Sequence, residues 1–347
     1  MSERLLEVEA LRVSFATDEG IVQAVDEVSF ALDSGEVLAI VGESGCGKSV
    51  TALTLMGLTR SPNARFSGSA RLRGEDLLNA SERRMQEIRG GEIAMVFQDP
   101  MSALNPVQRV GPQIVEQIRA HEQIDSHAAM ERAIEAMERA DIPWARERAH
   151  AFPHELSGGM RQRAMIAMAL SCSPSVLIAD EPTTALDVTI QAQILEELKR
   201  LSAEAHASVI LVTHDLGVVA DIADRIVVMY SGRIVEEGRL DELFYDPQHP
   251  YTWGLLGSIA RIDRERPPRL PTIAGQPPSL VDPPPGCHFR ARCPLEFARC
   301  VEVPALESRL SDAPAHRDRC WLSPTEKRAK RVVGGQIGLA GGTTVIT

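Results

Sequence analysis

Short, almost wholly apolar runs recur along the first two-thirds of the chain, at residues 37–41, 93–97, 176–179, 209–213 and 226–230. Each is too short for a helix and rich in Val and Ile, which is the pattern of a strand covered on both faces. Helical patterns separate the runs, so the first 240 or so residues predict an α/β domain with a largely parallel core sheet. Residues 5–15, followed by 22–32, predict an antiparallel β layer in front of that core. Between residues 108 and 140 the chain turns to helix formers (Ala, Glu, Arg, Met and Gln) and predicts a helical subdomain inserted into the core. After Tyr245 the pattern breaks. Residues 267–285 are dense in proline, which excludes long helices and central strands. This stretch predicts a linker and wrap leading into a small cysteine-stapled module at about 286–322. From Lys327 the sequence is basic and then Gly-rich, and predicts a frayed tail. No internal repeat is visible.

Composition narrows the classes. A hydrophobic content of 44% with 24% charged residues belongs to a globular protein, and 347 residues suffice for one large domain and a smaller one. The formal net charge of −11 argues against a non-specific nucleic-acid binder. It leaves nucleotide phosphates open, since backbone N–H groups and one or two cations bind those. No apolar run approaches the roughly 18–20 residues of a membrane helix, and the opening Met-Ser-Glu-Arg-Leu-Leu-Glu has no signal-peptide apolar core. Any membrane-spanning helices must then come from other subunits.

Candidate chemistry begins at Gly42-Glu43-Ser44-Gly45-Cys46-Gly47-Lys48-Ser49, a P-loop pattern placed between an apolar strand and a helical stretch at 49–58. Glycines let the backbone turn its N–H groups onto phosphates, and the helix N-terminus adds partial positive charge. Lys48 then neutralises β- and γ-phosphate oxygens, and the Ser49 hydroxyl completes a Mg²⁺ shell. Cys46 reads as a small filler. A second apolar strand ends in Asp180-Glu181-Pro182. Asp180 is placed to hold Mg²⁺ directly or through water, and Glu181 to act as general base on the attacking water.

With these residues in place the chain resembles the ATP-binding cassette (ABC) family. Leu156-Ser157-Gly158-Gly159-Met160-Arg161-Gln162 resembles that family's signature motif, opening a helical pattern at 161–170. Phe97-Gln98-Asp99-Pro100 resembles the Q-loop, Thr184-Ala185-Leu186-Asp187 the D-loop, and Thr213-His214-Asp215 the H-loop. The resemblance implies a P-loop ABC cassette with an antiparallel β layer and an inserted helical subdomain at about 100–170. It implies ATP held by Gly42, Ser44, Gly45, Cys46, Gly47, Lys48, Ser49, Val50, Gln98, Asp180 and His214. Phe15 is the candidate for stacking on adenine, or else a core residue. Mg²⁺ falls to Ser49, Gln98 and Asp180, and catalysis to Glu181, His214, Lys48 and Gln98. Ser157, Gly158 and Gly159 would close in trans on ATP held by a second, homologous cassette.

Soluble members of the family act on nucleic acid or the ribosome, but they typically carry coiled coils or paired cassettes, which this chain lacks. Residues 243–252, Gly254-Leu255-Leu256 and Gly286-Cys287-His288-Phe289-Arg290-Ala291-Arg292-Cys293-Pro294 resemble the extension of ATPases from dipeptide, oligopeptide and nickel importers, in particular their D-type subunit. The implied division is a cassette at 1–240, an extension at 241–325 and a flexible tail at 326–347. The implied partners are a second ATPase subunit, two transmembrane permeases and an extracytoplasmic binding protein, with no nucleic acid. The implied location is peripheral, on the cytoplasmic face of the membrane. Dipeptide, longer peptide and nickel all stay open as cargo, because selectivity lies in the other subunits. Cys287, Cys293, Cys300 and Cys320 have the spacing C-x₅-C-x₆-C-x₁₉-C, lacking the short pairs of structural zinc sites. A [4Fe–4S] cluster suits the wider gaps, with Zn²⁺ or plain thiols as alternatives.

Overall fold

The computed structural model describes residues 3–183, 187–259 and 272–331. Its main sheet has seven strands. In chain order these are β3 (Val37–Val41), β6 (Ile93–Val96), β7 (Val176–Asp180), β8 (Ser208–Thr213), β9 (Arg225–Tyr230), β10 (Arg233–Arg239) and β11 (Arg317–Asp318). The spatial order is β11-β10-β9-β3-β8-β7-β6. The five strands from β9 to β6 run parallel, and β10 and β11 are added antiparallel at one edge. A second, antiparallel sheet has the order β2-β1-β4-β5, from β1 (Arg4–Thr17), β2 (Gly20–Asp33), β4 (Ala64–Leu72) and β5 (Glu75–Asp76). The five apolar runs thus became strands with ends shifted by no more than one residue, and the antiparallel layer formed as expected.

The parallel strands are apolar on both faces because each face has its own core. On β3, Leu38 and Ile40 point into the core shared with the antiparallel sheet, while Ala39 and Val41 point into the core shared with the helices. The same alternation runs through β7, with Ile178 on one side and Leu177 and Ala179 on the other.

Helix α1 (Lys48–Leu55) follows β3, and α2 (Glu82–Ile88) precedes β6. The helical subdomain consists of α3 (Pro100–Ala103), α4 (Val110–His121), α5 (Ser126–Arg139), α6 (Ala145–Arg148) and α7 (Gly158–Leu170). Helices α8 (Val188–Glu204) and α9 (Leu216–Ile222) return the chain to the sheet. Among the described residues no helix is long and apolar enough to cross a membrane.

Two expectations need correction. The extension is no separate module behind a linker. Helices α10 (Leu240–Tyr245) and α11 (Pro250–Gly257) pack on the cassette, Tyr251 and Phe289 enter its core, and β11 extends its main sheet. The boundary at 240/241 therefore runs through continuous packing. The tail also does not fray from Lys327. Helix α12 (Pro324–Lys330) is capped by Ser323, buries Lys327 against Asp318 at 2.7 Å, and pairs Arg328 with Asp246. Polar pairing orders a segment whose composition suggested none. Residues 332–347 of the expected tail, 184–186 of the expected D-loop and 267–271 of the proline-rich run lie outside the described residues.

Candidate active site

The parallel register decides where the functional segments meet. Val41, the last residue of β3, lies opposite Thr213 of β8, and Asp180 of β7 lies opposite Val212. Val96 at the end of β6 lies opposite Ala179. The P-loop, the Asp180-Glu181 pair, His214 and Gln98 therefore all leave the carboxyl edge of adjacent strands, where open α/β sheets bind their ligands.

The P-loop is shaped by close backbone approach. A Cβ at Gly47, whose φ is +102°, would stand 2.3 Å from the Ala24 carbonyl oxygen, and one at Gly42 would stand 2.2 Å from that of Met229. Only glycine fits either place. Ser44 and Gly45 form the exposed tip, and Val50 is half-buried on α1. Lys48 is buried, and its ammonium donates to the Gly42 and Glu43 carbonyls at 2.8 and 3.1 Å. Cys46 packs beneath the loop, and burial pushes its thiol above its ordinary range. That agrees with a filler role.

Behind the loop, the Ser49 hydroxyl donates to Asp180 at 3.0 Å, and burial raises the Asp180 carboxyl above its usual range. A hydroxyl and a buried carboxylate side by side, next to a buried lysine, are groups of the kind that hold a magnesium nucleotide. Glu181 takes a hydrogen bond from Gln98 Nε2 at 3.1 Å on one carboxylate oxygen. His214 Nδ1 lies 3.1 Å from the other. Glu181 adopts the left-handed region at φ 46°, anchored by its N–H to the Val212 carbonyl at 2.8 Å. This unfavourable backbone aims its carboxylate into the space between Gln98 and His214.

The remaining predicted residues fall elsewhere. Phe15 is half-buried on β1, in register with Val22 and Ala64 and packed against the core beneath the antiparallel sheet. Ser157 is the exposed N-cap of α7 and accepts from the Met160 N–H, with Gly158 and Gly159 opening the helix. Among the described residues, a Cβ on Gly159 would meet Ile190 at an ordinary 3.6 Å.

One residue of the loop has partners that the sequence did not announce. Glu43 donates its N–H to the Tyr251 hydroxyl at 2.8 Å, and its carboxylate takes two hydrogen bonds from Arg292, at 2.6 and 2.9 Å. Both partners belong to the extension, more than two hundred residues away. No local pattern signals such a contact.

Cys287, Cys293, Cys300 and Cys320 line one apolar pocket of about 20 Å³, together with Phe289, Leu295 and Trp321. Burial pushes the thiols of Cys293 and Cys320 up to about 12, and neighbouring cysteines push in the same direction. Among the described residues, no three His, Cys, Asp or Glu side chains are gathered closely enough to hold a single metal ion. Four cysteines lining one apolar pocket are the ligand type, and the number, that an iron–sulfur cage takes.

Known proteins are similar to this chain along most of its length. Residues 25–184 match the ABC transporter family, and residues 235–300 match the oligopeptide/dipeptide transporter C-terminal region. The oligopeptide transport ATP-binding protein OppD of Bacillus subtilis is 52% identical over 320 residues, covering 92% of this chain and 89% of that protein. The dipeptide transport ATP-binding protein DppD of the same organism is 50% identical, covering 95% and 98%. A solved dimeric bacterial ABC transporter cassette is 27% identical with a TM-score of 0.61, covering 68% of this chain and 98% of that one. A dimeric post-hydrolysis cassette bound to ADP and Pi has the same TM-score at 26% identity. This chain belongs to the ABC transporter ATP-binding proteins of the oligopeptide/dipeptide family.

Proposed function

We propose that this chain hydrolyses ATP to power import of oligopeptides or dipeptides, and that Glu181, held between Gln98 and His214 beside the P-loop, carries the hydrolytic step. Phosphates enter the cradle left by Gly42 and Gly47, and the Lys48 ammonium neutralises their β- and γ-oxygens. Ser44, Gly45, Cys46 and Val50 complete the lining, with Phe15 against the adenine. Ser49, Asp180 and Gln98 would hold Mg²⁺, which would supply charge neutralisation to the bound phosphates. Glu181 accepts the proton of the attacking water at its carboxylate. His214 fixes that carboxylate from one side and Gln98 from the other. Ser157, Gly158 and Gly159 serve a nucleotide on a second cassette, a reading supported by their place at the N-terminus of α7, where Ser157 is exposed.

The assembly we propose pairs this subunit with a second ATPase beneath two permeases on the cytoplasmic face of the membrane, fed by an external binding protein. Residues 1–240 form the cassette and 241–325 its integrated extension. We further propose that Cys287, Cys293, Cys300 and Cys320 hold a [4Fe–4S] cluster, which would cross-link a region short of apolar residues.

Glu181→Gln should retain ATP affinity, accumulate a closed dimer in size-exclusion chromatography, and lose about 10²–10⁴-fold in turnover. Lys48→Ala should lose nucleotide binding itself. Full turnover in the first variant removes Glu181 from its role. Anaerobic purification should yield about four irons and four sulfides per chain; a metal-free protein would withdraw the cluster and leave the ATPase intact.

A further inference from the structure

We infer that Arg292 of the C-terminal extension is a positioning residue of the P-loop, acting through Glu43, so that the extension sets the affinity of the ATP site. The inference rests on the reading that this loop binds ATP. Glu43 sits between Gly42 and Ser44, and each of its polar groups is engaged. Its carbonyl receives the Lys48 ammonium at 3.1 Å, its N–H donates to Tyr251 at 2.8 Å, and its carboxylate receives Arg292 in two parallel bonds. The residue that presents a carbonyl to the phosphate-binding lysine is therefore held from behind by two side chains of the extension.

Arg292 is built for this task. Its side chain is only 4% exposed, and all five of its N–H donors have acceptors. Besides Glu43 these are the Ala274 and Ile273 carbonyls, at 2.9 and 3.1 Å, and the Tyr230 hydroxyl at 3.3 Å. The guanidinium is locked before it meets the loop, so little freedom is lost in holding Glu43. The turn that carries Arg292 is closed at one end by the Arg290 N–H on the Cys287 carbonyl, at 3.0 Å. At the other end the Cys293 N–H donates to the Arg290 carbonyl, at 3.1 Å. Two of the four cysteines thus bracket the residue that grips the loop. An ion pair serving only to attach the extension would not need a partner inside the phosphate cradle, and among the described residues this arginine pairs with no other carboxylate.

The test uses the full-length chain with fluorescent N-methylanthraniloyl-ATP for affinity and steady-state hydrolysis for KM and kcat. Arg292→Gln and Glu43→Gln should each weaken nucleotide binding about tenfold, the usual weight of a charge-assisted bidentate pair. The loss should fall on KM more than on kcat, and the double variant should be no weaker than either single one. The thermal midpoint without nucleotide separates this from a folding defect. Should Arg292→Gln fail to fold, the near-isosteric Glu43→Gln still decides. Wild-type binding with an unchanged affinity in Glu43→Gln overturns the inference, as do losses that multiply in the double variant. A wild-type chain that does not bind ATP overturns the reading of the loop and this inference with it.

Discussion

Along β3, β7 and β8 nearly every side chain is apolar and buried, and the charged exception, Asp180, stands at the carboxyl end of β7. Between residues 272 and 331 the balance is reversed. There the buried apolar side chains are Phe289, Cys300, Pro304 and Leu322, whereas His288, His316, Asp318 and Lys327 are all buried polar residues. The cassette is held by area removed from water, at about 25 cal/mol per Å². The extension is held by paired charges and by its grip on the cassette. Glu236, fully buried in β10, accepts the Gln248 and His249 N–H groups at 2.5 and 2.9 Å and contacts His316 Nε2 at 2.7 Å. Arg317 of β11 pairs with Glu237 across the sheet edge. Non-directional burial tolerates small shifts; paired charges do not, so the extension should be the more easily disrupted of the two.

The sharpest test of that contrast is Lys327→Ala. Burial already pushes the Asp318 carboxyl up to about 6 despite the lysine beside it. Removing the lysine leaves the buried acid with only the Arg309 guanidinium, at 3.5 Å, and should cost about 3–5 kcal/mol in chemical denaturation. A loss below about 1 kcal/mol would mean that the extension is held by something else. Ile210→Ala, in the fully buried centre of β8, should cost about 2–5 kcal/mol through lost transfer energy and a residual cavity. It should act on the cassette and leave the pairing of the extension unchanged by amide exchange.

The smallest expected effect lies at the exception within the cassette. Glu197 of α8 is buried beside Arg163 at 3.3 Å, an ion pair whose geometry leaves no hydrogen bond on either carboxylate oxygen. Burial raises its pKa from 4.5 to about 7. Because the folded-state value lies above the unfolded one, its contribution is complete below about pH 4.5 and is lost as pH rises through about 7. Glu197→Gln should flatten the fall in stability between pH 5 and pH 8 by about 1–3 kcal/mol. An unchanged slope would show that Arg163 already neutralises the carboxylate.

The same contrast explains what could be read in advance. The five core runs were legible because a strand buried on both faces must be apolar throughout, so its ends were placed within a residue. The P-loop was legible because a strand, glycines at fixed offsets and a helix start are all local. Gln98, Glu181 and His214 were legible as members of a motif series, each lying just past a buried strand. The extension was less legible: β11 has two residues, and α12 begins in a stretch that reads as basic tail. Their order comes from Glu237, Asp318 and Asp246, distant partners that leave no period in the sequence.

By itself, then, the sequence determined which segments are the core strands and most of the helices, where the glycine-rich loop lies, and which acids follow a buried strand. These follow from side-chain period, glycine geometry and neighbours within a few residues. Only the tertiary structure decided that Gln98 and His214 grasp the same carboxylate, that the extension completes the main sheet, and that Arg292 and Tyr251 hold Glu43. Those contacts join residues up to about 250 positions apart through single directional bonds. Such bonds depend on where the folded backbone places each donor and acceptor, which composition and spacing do not encode.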